Sequence, residues 1–144
     1  MLVALGDMIR AASMADLILR KLYRALVGSH LAEVTANGQM TRWLIDECGA
    51  ILDHRTDLAE PIRTELRAML TDAKNLSEKR NRYVHDVWSG TGTPGGHVLV
   101  RSKRRTIQWD LQEVSLDGLI EVGTGFRKLT VDVMGWQIDN LGAV

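Results

Sequence analysis

Two side chains with complementary chemistry lie five positions apart in the segment SEKRNRYVHDVW, residues 77–88. Arg80 carries a permanent positive charge, and His85 belongs to the residue type that exchanges protons near neutral pH. Asn81 adds an amide that can both donate and accept hydrogen bonds. Together, these three side chains can stabilise charge on a phosphoryl oxygen and transfer a proton, which is what phosphodiester cleavage without a metal requires.

The helix predicted to carry these residues places Arg80 in the middle of its buried stripe. At about 100° per residue, the apolar side chains of this helix fall within roughly 60° of Arg80. They are Leu58, Ile62, Leu66, Met69, Ala73, Leu76, Tyr83, Val84 and Val87. Asn81, His85 and Trp88 occupy a neighbouring sector, in which Asn81 and His85 lie one turn apart and can meet.

A buried guanidinium needs a compensating partner, because an unpaired buried charge is costly. Two candidate acids lie near apolar stripes of other predicted helices, Glu47 as the first choice and Asp16 as the second. One interpretation of Arg80 is structural: it pairs with such an acid or extends to solvent, and His85 only stabilises the helix end. The other interpretation is the phosphodiester chemistry described above, and the residues alone leave both open.

The rest of the chain reads as helices with one interruption. Helical periodicity predicts four helices, at about 2–27, 39–52, 57–88 with Asp57 as N-cap, and from Ser115 onwards. The glycine-rich segment 89–96 cannot continue a helix, and alternating residues at about 97–114 predict a short β-hairpin. We therefore expect a mainly α fold: one domain, 1–144, built as an antiparallel bundle of four or five helices with a hairpin before the last helix.

Composition restricts the classes of function. The chain has 144 residues, with 18 lysines and arginines balanced by 18 aspartates and glutamates, so any contact with nucleic acid must be local. The densest basic run supplies the RNA-contact candidates Arg101, Lys103, Arg104 and Arg105, although a solvated hairpin tip explains this run nearly as well.

Several expectations concern location and cofactors. Cys48 is the only cysteine, so no internal disulfide is expected and the cytoplasm is the default location. Asp7 and Arg10 interrupt the apolar N-terminal stretch, so we expect no membrane segment. The histidines other than His85 lack metal-ligand spacing, so we expect no metal site and no cofactor.

The segment RNRYVH, residues 80–85, resembles the arginine–histidine motif of HEPN-domain proteins. In that family about four to six residues separate the arginine from the histidine, and the residue after the arginine is usually polar, as Asn81 is here. The location of the motif near the end of a long helix in a helical bundle is similar too. The resemblance implies metal-independent RNA cleavage by Arg80, Asn81 and His85, in a homodimer that brings two motifs into one composite site.

On this resemblance we expect an endoribonuclease that acts as a toxin or in phage defence, with RNA as substrate and an antitoxin or another protein as partner. Trp88 is the expected anchor of the dimer interface, because large aromatic side chains dominate interface energetics. The alternative is a non-catalytic HEPN-like bundle that binds a protein partner or a nucleotide. The predicted hairpin departs from a minimal bundle of this family.

Overall fold

The computed structural model describes residues 1–91, 94–102 and 108–142. Within these residues the chain forms five helices and three strands. They are α1 (Leu2–Val27), α2 (Ala32–Ala36), α3 (Thr41–His54), α4 (Glu60–His85), β1 (Val87–Gly90), β2 (His97–Ser102), β3 (Trp109–Val114) and α5 (Leu116–Leu141). The expectation of a mainly helical fold is confirmed.

Two helix ends follow the sequence signals. Gly28 ends α1 in the left-handed conformation at φ 72°, and its N–H donates to the carbonyl of Arg24. Ser115 caps α5 as predicted, because its hydroxyl oxygen accepts a hydrogen bond of 2.9 Å from the N–H of Gly118.

The start of α4 differs from the prediction. Ala59 is the N-cap, and Pro61 lies in the first turn, where a missing N–H costs no intrahelical hydrogen bond. Asp57 is therefore not the cap. Its carboxylate accepts hydrogen bonds of 2.8 and 2.7 Å from Arg55, which satisfies both side chains in the preceding loop.

α1 and α3 run in the same direction, so the predicted antiparallel arrangement is wrong for this pair. Thr41, at the start of α3, donates to Asp16 in the middle of α1, and Arg55, just beyond the end of α3, donates to the carbonyl of Leu26. Residues 28–40 carry the chain back along α1. Arg20 holds this return segment by donating to two of its backbone carbonyls at 2.5 and 2.7 Å.

α4 runs opposite to the other long helices. Near its end Lys79 pairs with Glu121 close to the start of α5, and near its beginning the Ile62 carbonyl accepts a hydrogen bond of 3.0 Å from Trp136. α5 is parallel to α1, since Gly123 packs against the backbone of Met8 near the start of both helices, and Leu141 lines a cavity with Arg24 and Gly28 at their ends. α1 and α4 each pack against both α3 and α5, and they also contact each other.

α3 covers only part of the bundle's length. It has 14 residues, whereas α1 and α4 have 26 each. Because it begins beside Asp16, the first half of α1 and the last two turns of α4 extend beyond its N-terminus. This difference in length leaves the end of α4 open on the side where α3 would otherwise cover it.

The predicted hairpin is part of a three-stranded antiparallel sheet in the order β1-β2-β3. The additional strand is β1, whose residues the sequence assigns partly to the preceding helix and partly to the glycine-rich loop. The chain leaves the helical conformation at Asp86, with ψ 152°, and β1 then pairs with β2 so that Trp88 lies opposite Leu99. Leu99 is fully buried and anchors the sheet to the helical core.

The core consists mainly of aliphatic side chains from α1, α3, α4 and α5, with contributions from the sheet and from buried aromatic residues. The largest fully buried members are Met8, Leu19 and Leu22 of α1, Leu44 and Leu52 of α3, Leu66 of α4, Leu99 of β2, and Leu119 and Val133 of α5. In the part of the chain that the structure describes, no helix combines the length and the apolarity needed to cross a membrane.

Candidate functional site

The N-terminus of α3 and the last turns of α4 enclose a cavity of about 420 Å³, which we call the motif cavity. Its polar side chains come from three helices. They are Asp16 of α1, Thr41 and Arg42 of α3, and Lys74, Ser77, Glu78, Arg80, Asn81 and His85 of α4. The structure thus brings Arg80, Asn81, His85 and Asp16 together at one opening.

Helix geometry explains why these side chains share the cavity. Lys74, Glu78, Asn81 and His85 follow one another in steps of four, three and four, so they form one polar stripe along α4. Arg80 lies beside this stripe and is half-buried, whereas Asn81 and His85 are exposed. The cavity opens here because α3 begins only at Thr41.

Arg80 has no carboxylate partner among the described residues, so the predicted ion pair is wrong for both acids. Asp16 does line the cavity, but its carboxylate accepts a hydrogen bond of 2.5 Å from Thr41 and lies 3.7 Å from Arg20. Asp16 is therefore engaged by α1 and α3. The Arg80 guanidinium keeps its donors for solvent or for a ligand.

Glu47 lies away from the motif cavity. It follows Ile45, a cavity residue, by two positions, which on a helix is a rotation of about 200°. It lies instead near Cys48 and Tyr23. Burial, together with a smaller effect of the Glu47 charge, raises the pKa of the Cys48 thiol to about 12. The same two causes, burial first and the Glu47 charge second, raise the pKa of Tyr23. The apolar stripe of α3 could not reveal which neighbour Glu47 faces.

The charged side chains that line the motif cavity, three cations and two carboxylates, sum to one positive charge. Arg42 pairs with Asp46 at 3.0 Å and lies 3.7 Å from Glu78. Within the described ranges, neither Lys74 nor Arg80 has such a carboxylate partner. These two cations therefore leave the cavity suited to an anionic group.

The N-terminus of α3 adds to this potential. Met40 is its N-cap and makes no side-chain capping hydrogen bond. The N–H groups of the first turn have no intrahelical acceptors, and they carry the positive end of the helix dipole. The sequence analysis predicted the helix at about 39–52 but included neither its start nor Lys74 in the site, although the polar stripe from Lys74 to His85 is a signal that could have identified the lysine.

A charge cluster centred on the buried Asp86 joins the end of α4 to the sheet. The Asp86 side chain, 4% exposed, accepts hydrogen bonds from Arg101 at 2.7 Å and from Arg82 at 3.2 Å. Arg82 also pairs with Asp110 of β3 at 3.2 Å. Because Asp86 directly follows His85, these contacts fix the sheet next to the motif.

The same cluster changes the interpretation of the basic run. Arg101, an RNA-contact candidate, uses its guanidinium to hold Asp86, so it has a structural role that the sequence did not indicate. The other three candidates, Lys103, Arg104 and Arg105, lie outside the described residues.

Trp88 does not share a helical face with Asn81 and His85, because α4 ends at His85 and Trp88 belongs to β1. Its indole N–H donates to the carbonyl of Tyr83 at 2.8 Å, and its ring lies 6.0 Å from that of His97. The side chain is half-buried against the core of its own chain. Its predicted role as a dimer anchor rests on a helical sector that does not exist.

Comparison with known proteins gives no assignment: no family model, curated protein or solved structure matches this chain. In the described segments, no three histidine, cysteine, aspartate or glutamate side chains gather in a way that could hold a metal ion.

Proposed function

We propose that this chain is a HEPN-type endoribonuclease and that the motif cavity is its active site. The observation that carries the proposal is the cavity of about 420 Å³ lined by Arg80, Asn81 and His85, in which Arg80 has no ion pair with any described residue. The structural interpretation in which Arg80 pairs with a core acid requires a carboxylate partner, which the described residues do not supply. A guanidinium that is half-buried beside a histidine and has no such partner is suited to a substrate phosphate.

Each residue then has a role in cleavage of the RNA backbone. His85 exchanges a proton with the ribose 2′-hydroxyl or the leaving oxygen, and Arg80 stabilises the charge that develops on the phosphoryl oxygens. Asn81, one turn before His85, orients the histidine or the phosphate. Lys74 and the start of α3 raise the local concentration of the anionic substrate.

The resemblance extends the proposal to biological context. The enzyme acts on cytoplasmic RNA as a toxin or phage-defence effector, and an antitoxin or another protein controls it. Two copies meet at the motif cavity to form the composite site. Exposed apolar side chains near this opening, Met40, Val84 and Val87, support a protein–protein contact there.

Product chemistry tests the proposal. Purified protein in excess chelator should cleave RNA, spare DNA of the same sequence, and leave a 2′,3′-cyclic phosphate or its hydrolysed form. These products are expected because the 2′-hydroxyl is the attacking group. Equal cleavage of RNA and DNA, or products that end in a 3′-hydroxyl, would rule out this mechanism.

The unpaired Arg80 also supports the alternative of a binding module for a nucleotide or a protein. That function predicts no cleavage by the wild type and no growth inhibition on expression. It also predicts that Arg80→Ala weakens nucleotide binding measured by calorimetry. Cleavage that depends on Arg80 would exclude a purely binding role.

A further inference from the structure

The outer surface of α5 carries an apolar stripe that no described element covers. Ile120, Val131, Met134 and Ile138 lie on it, and all four side chains are exposed, Val131 at 68%. We call these four residues the α5 seam. Val131, Met134 and Ile138 are separated by three and four residues, and Thr124 and Arg127 continue this heptad spacing back to Ile120.

α1 borders the seam on one side. Arg127 lies on the same stripe, but its guanidinium turns towards α1 and donates to Asp7 at 3.0 Å. Val3 of α1 and Leu116 of α5 line one surface cavity of about 490 Å³, so the apolar surface is continuous between the two helices. Met14 of α1 extends it further.

The two flanks of the seam carry opposite charge. Arg10 and Lys21 are exposed on the α1 flank, and Asp117 and Asp139 are exposed on the opposite flank of α5. Lys21 and Asp139 form no ion pair with any described residue. They lie at nearly the same height in the bundle: Met8 packs beside Gly123, so Lys21 is level with residue 136, about 5 Å from Asp139 along the axis.

We propose that the α5 seam binds the same seam of a second copy, with the two α5 helices parallel about a two-fold axis. In this arrangement the basic flank of each copy faces the acidic flank of the other, so Lys21 meets Asp139 of the partner subunit. An antiparallel pairing would instead place the two basic flanks together. Thr124, Val131 and Ile138 occupy one heptad position of the seam, and Ile120, Arg127 and Met134 occupy the other.

The size of the surface fits a second copy. The exposed apolar side chains of the seam and its α1 border form a patch on the order of 600 Å², at the upper limit for a monomer and close to the ~800 Å² that each partner of a stable complex buries. Ile120 to Ile138 belong to α5, whereas the motif cavity is lined by residues of α1, α3 and α4 and the turn before α3. This inference therefore does not depend on RNA cleavage.

Cross-linking tests the position of the interface. Cys48 is buried, so an introduced cysteine is the accessible thiol. Val131→Cys should form a covalent dimer on mild oxidation, because equivalent seam residues across a parallel two-fold axis lie within disulfide range. Ala68→Cys, exposed on the outer face of α4, is the matched control and should form no covalent dimer. Cross-linking of Val131→Cys no greater than that of Ala68→Cys would overturn the proposal.

Charge exchange tests the orientation. By sedimentation equilibrium, Lys21→Glu should weaken association about five-fold, and adding Asp139→Lys should restore it. Val131→Asp combined with Ile138→Asp should halve the mass of the wild-type assembly without loss of helicity in circular dichroism. A mass unchanged by the two seam substitutions would contradict the parallel seam. So would a charge-exchanged double variant that associates no more tightly than Lys21→Glu.

Discussion

At the residue scale, Arg80 has no carboxylate partner among the described residues, which favours a role in binding a ligand over a structural ion pair. Lys74 and Arg80 both line the motif cavity, whereas Asp16 is already hydrogen bonded to Thr41 and Arg42 is already paired. The cavity therefore holds its positive charge in advance of any substrate. A pre-organised cation of this kind stabilises developing negative charge without reorganisation during the reaction.

Replacement of Arg80 should separate activity from stability. Arg80→Leu leaves no carboxylate unpaired and keeps most of the buried volume, so the free energy of unfolding should change by less than about 1 kcal/mol or rise. RNA cleavage should fall by at least about a hundredfold, because the phosphate loses its cation. Urea unfolding and cleavage rates of the same preparations measure both effects. A loss of several kcal/mol in Arg80→Leu would indicate a structural arginine instead.

Cys48 should be inert in the folded protein. Burial, aided by the Glu47 charge, raises its pKa from 9.0 to about 12, so at pH 8 almost no thiolate is present. Since the folded-state pKa is raised, this group's contribution to stability is fully present below pH 9 and is lost as pH rises towards 12. A thiol reagent at pH 8 should label the unfolded chain completely and the native chain barely. Rapid labelling of the native chain would contradict the burial of Cys48.

At the element scale, the short α3 and the sheet determine what surrounds the end of α4. Helical periodicity was sufficient to predict α1, the cap of α5 and the placement of Asn81 and His85 one turn apart. It could not predict that α3 runs parallel to α1, because direction depends on the return segment 28–40 and its contacts with Arg20. For the same reason the sequence could not show that Glu47 faces Cys48 and Tyr23 instead of Arg80.

The charge cluster of Asp86 with Arg82 and Arg101 should hold the sheet onto α4. Asp86→Asn leaves Arg82 and Arg101 without their shared carboxylate, so the free energy of unfolding should fall by roughly 1–3 kcal/mol. The loss is limited to this range because Arg101 is half exposed and solvent screens its charge. Asp110→Asn is the matched control, since it removes a single, more exposed partner and should cost less than about 1 kcal/mol. Urea titrations of the two variants give the comparison, and equal losses would show that Asp86 has no special role.

Trp88 should matter for folding more than for association. Its indole bonds to the Tyr83 carbonyl and packs on the core, so Trp88→Ala should lower the free energy of unfolding by roughly 2–3 kcal/mol, somewhat below the cost at a fully buried site. Thermal unfolding by circular dichroism measures this loss. A stable variant that dissociates from a dimer to a monomer would restore the interface role predicted from sequence.

At the scale of the whole molecule, the proposed ribonuclease has two surfaces that we propose for self-association. One lies at the motif cavity, where the resemblance implies a composite site, and the other is the α5 seam. Use of both surfaces would build a closed tetramer or a chain of copies, because each two-fold contact leaves the other surface free. The balanced net charge places no electrostatic barrier against such assembly.

If the motif cavity is the site of RNA cleavage, the reaction must depend on His85 and not on histidines elsewhere on the surface. Wild type, His85→Ala and His54→Ala are incubated with structured and unstructured RNA in excess chelator. His54 is an exposed histidine of α3 that does not line the motif cavity, so its removal controls for loss of a surface imidazole. Wild type and His54→Ala should cleave equally, and His85→Ala should lose about two orders of magnitude or more while keeping its fold. Equal cleavage by all three proteins would contradict the account.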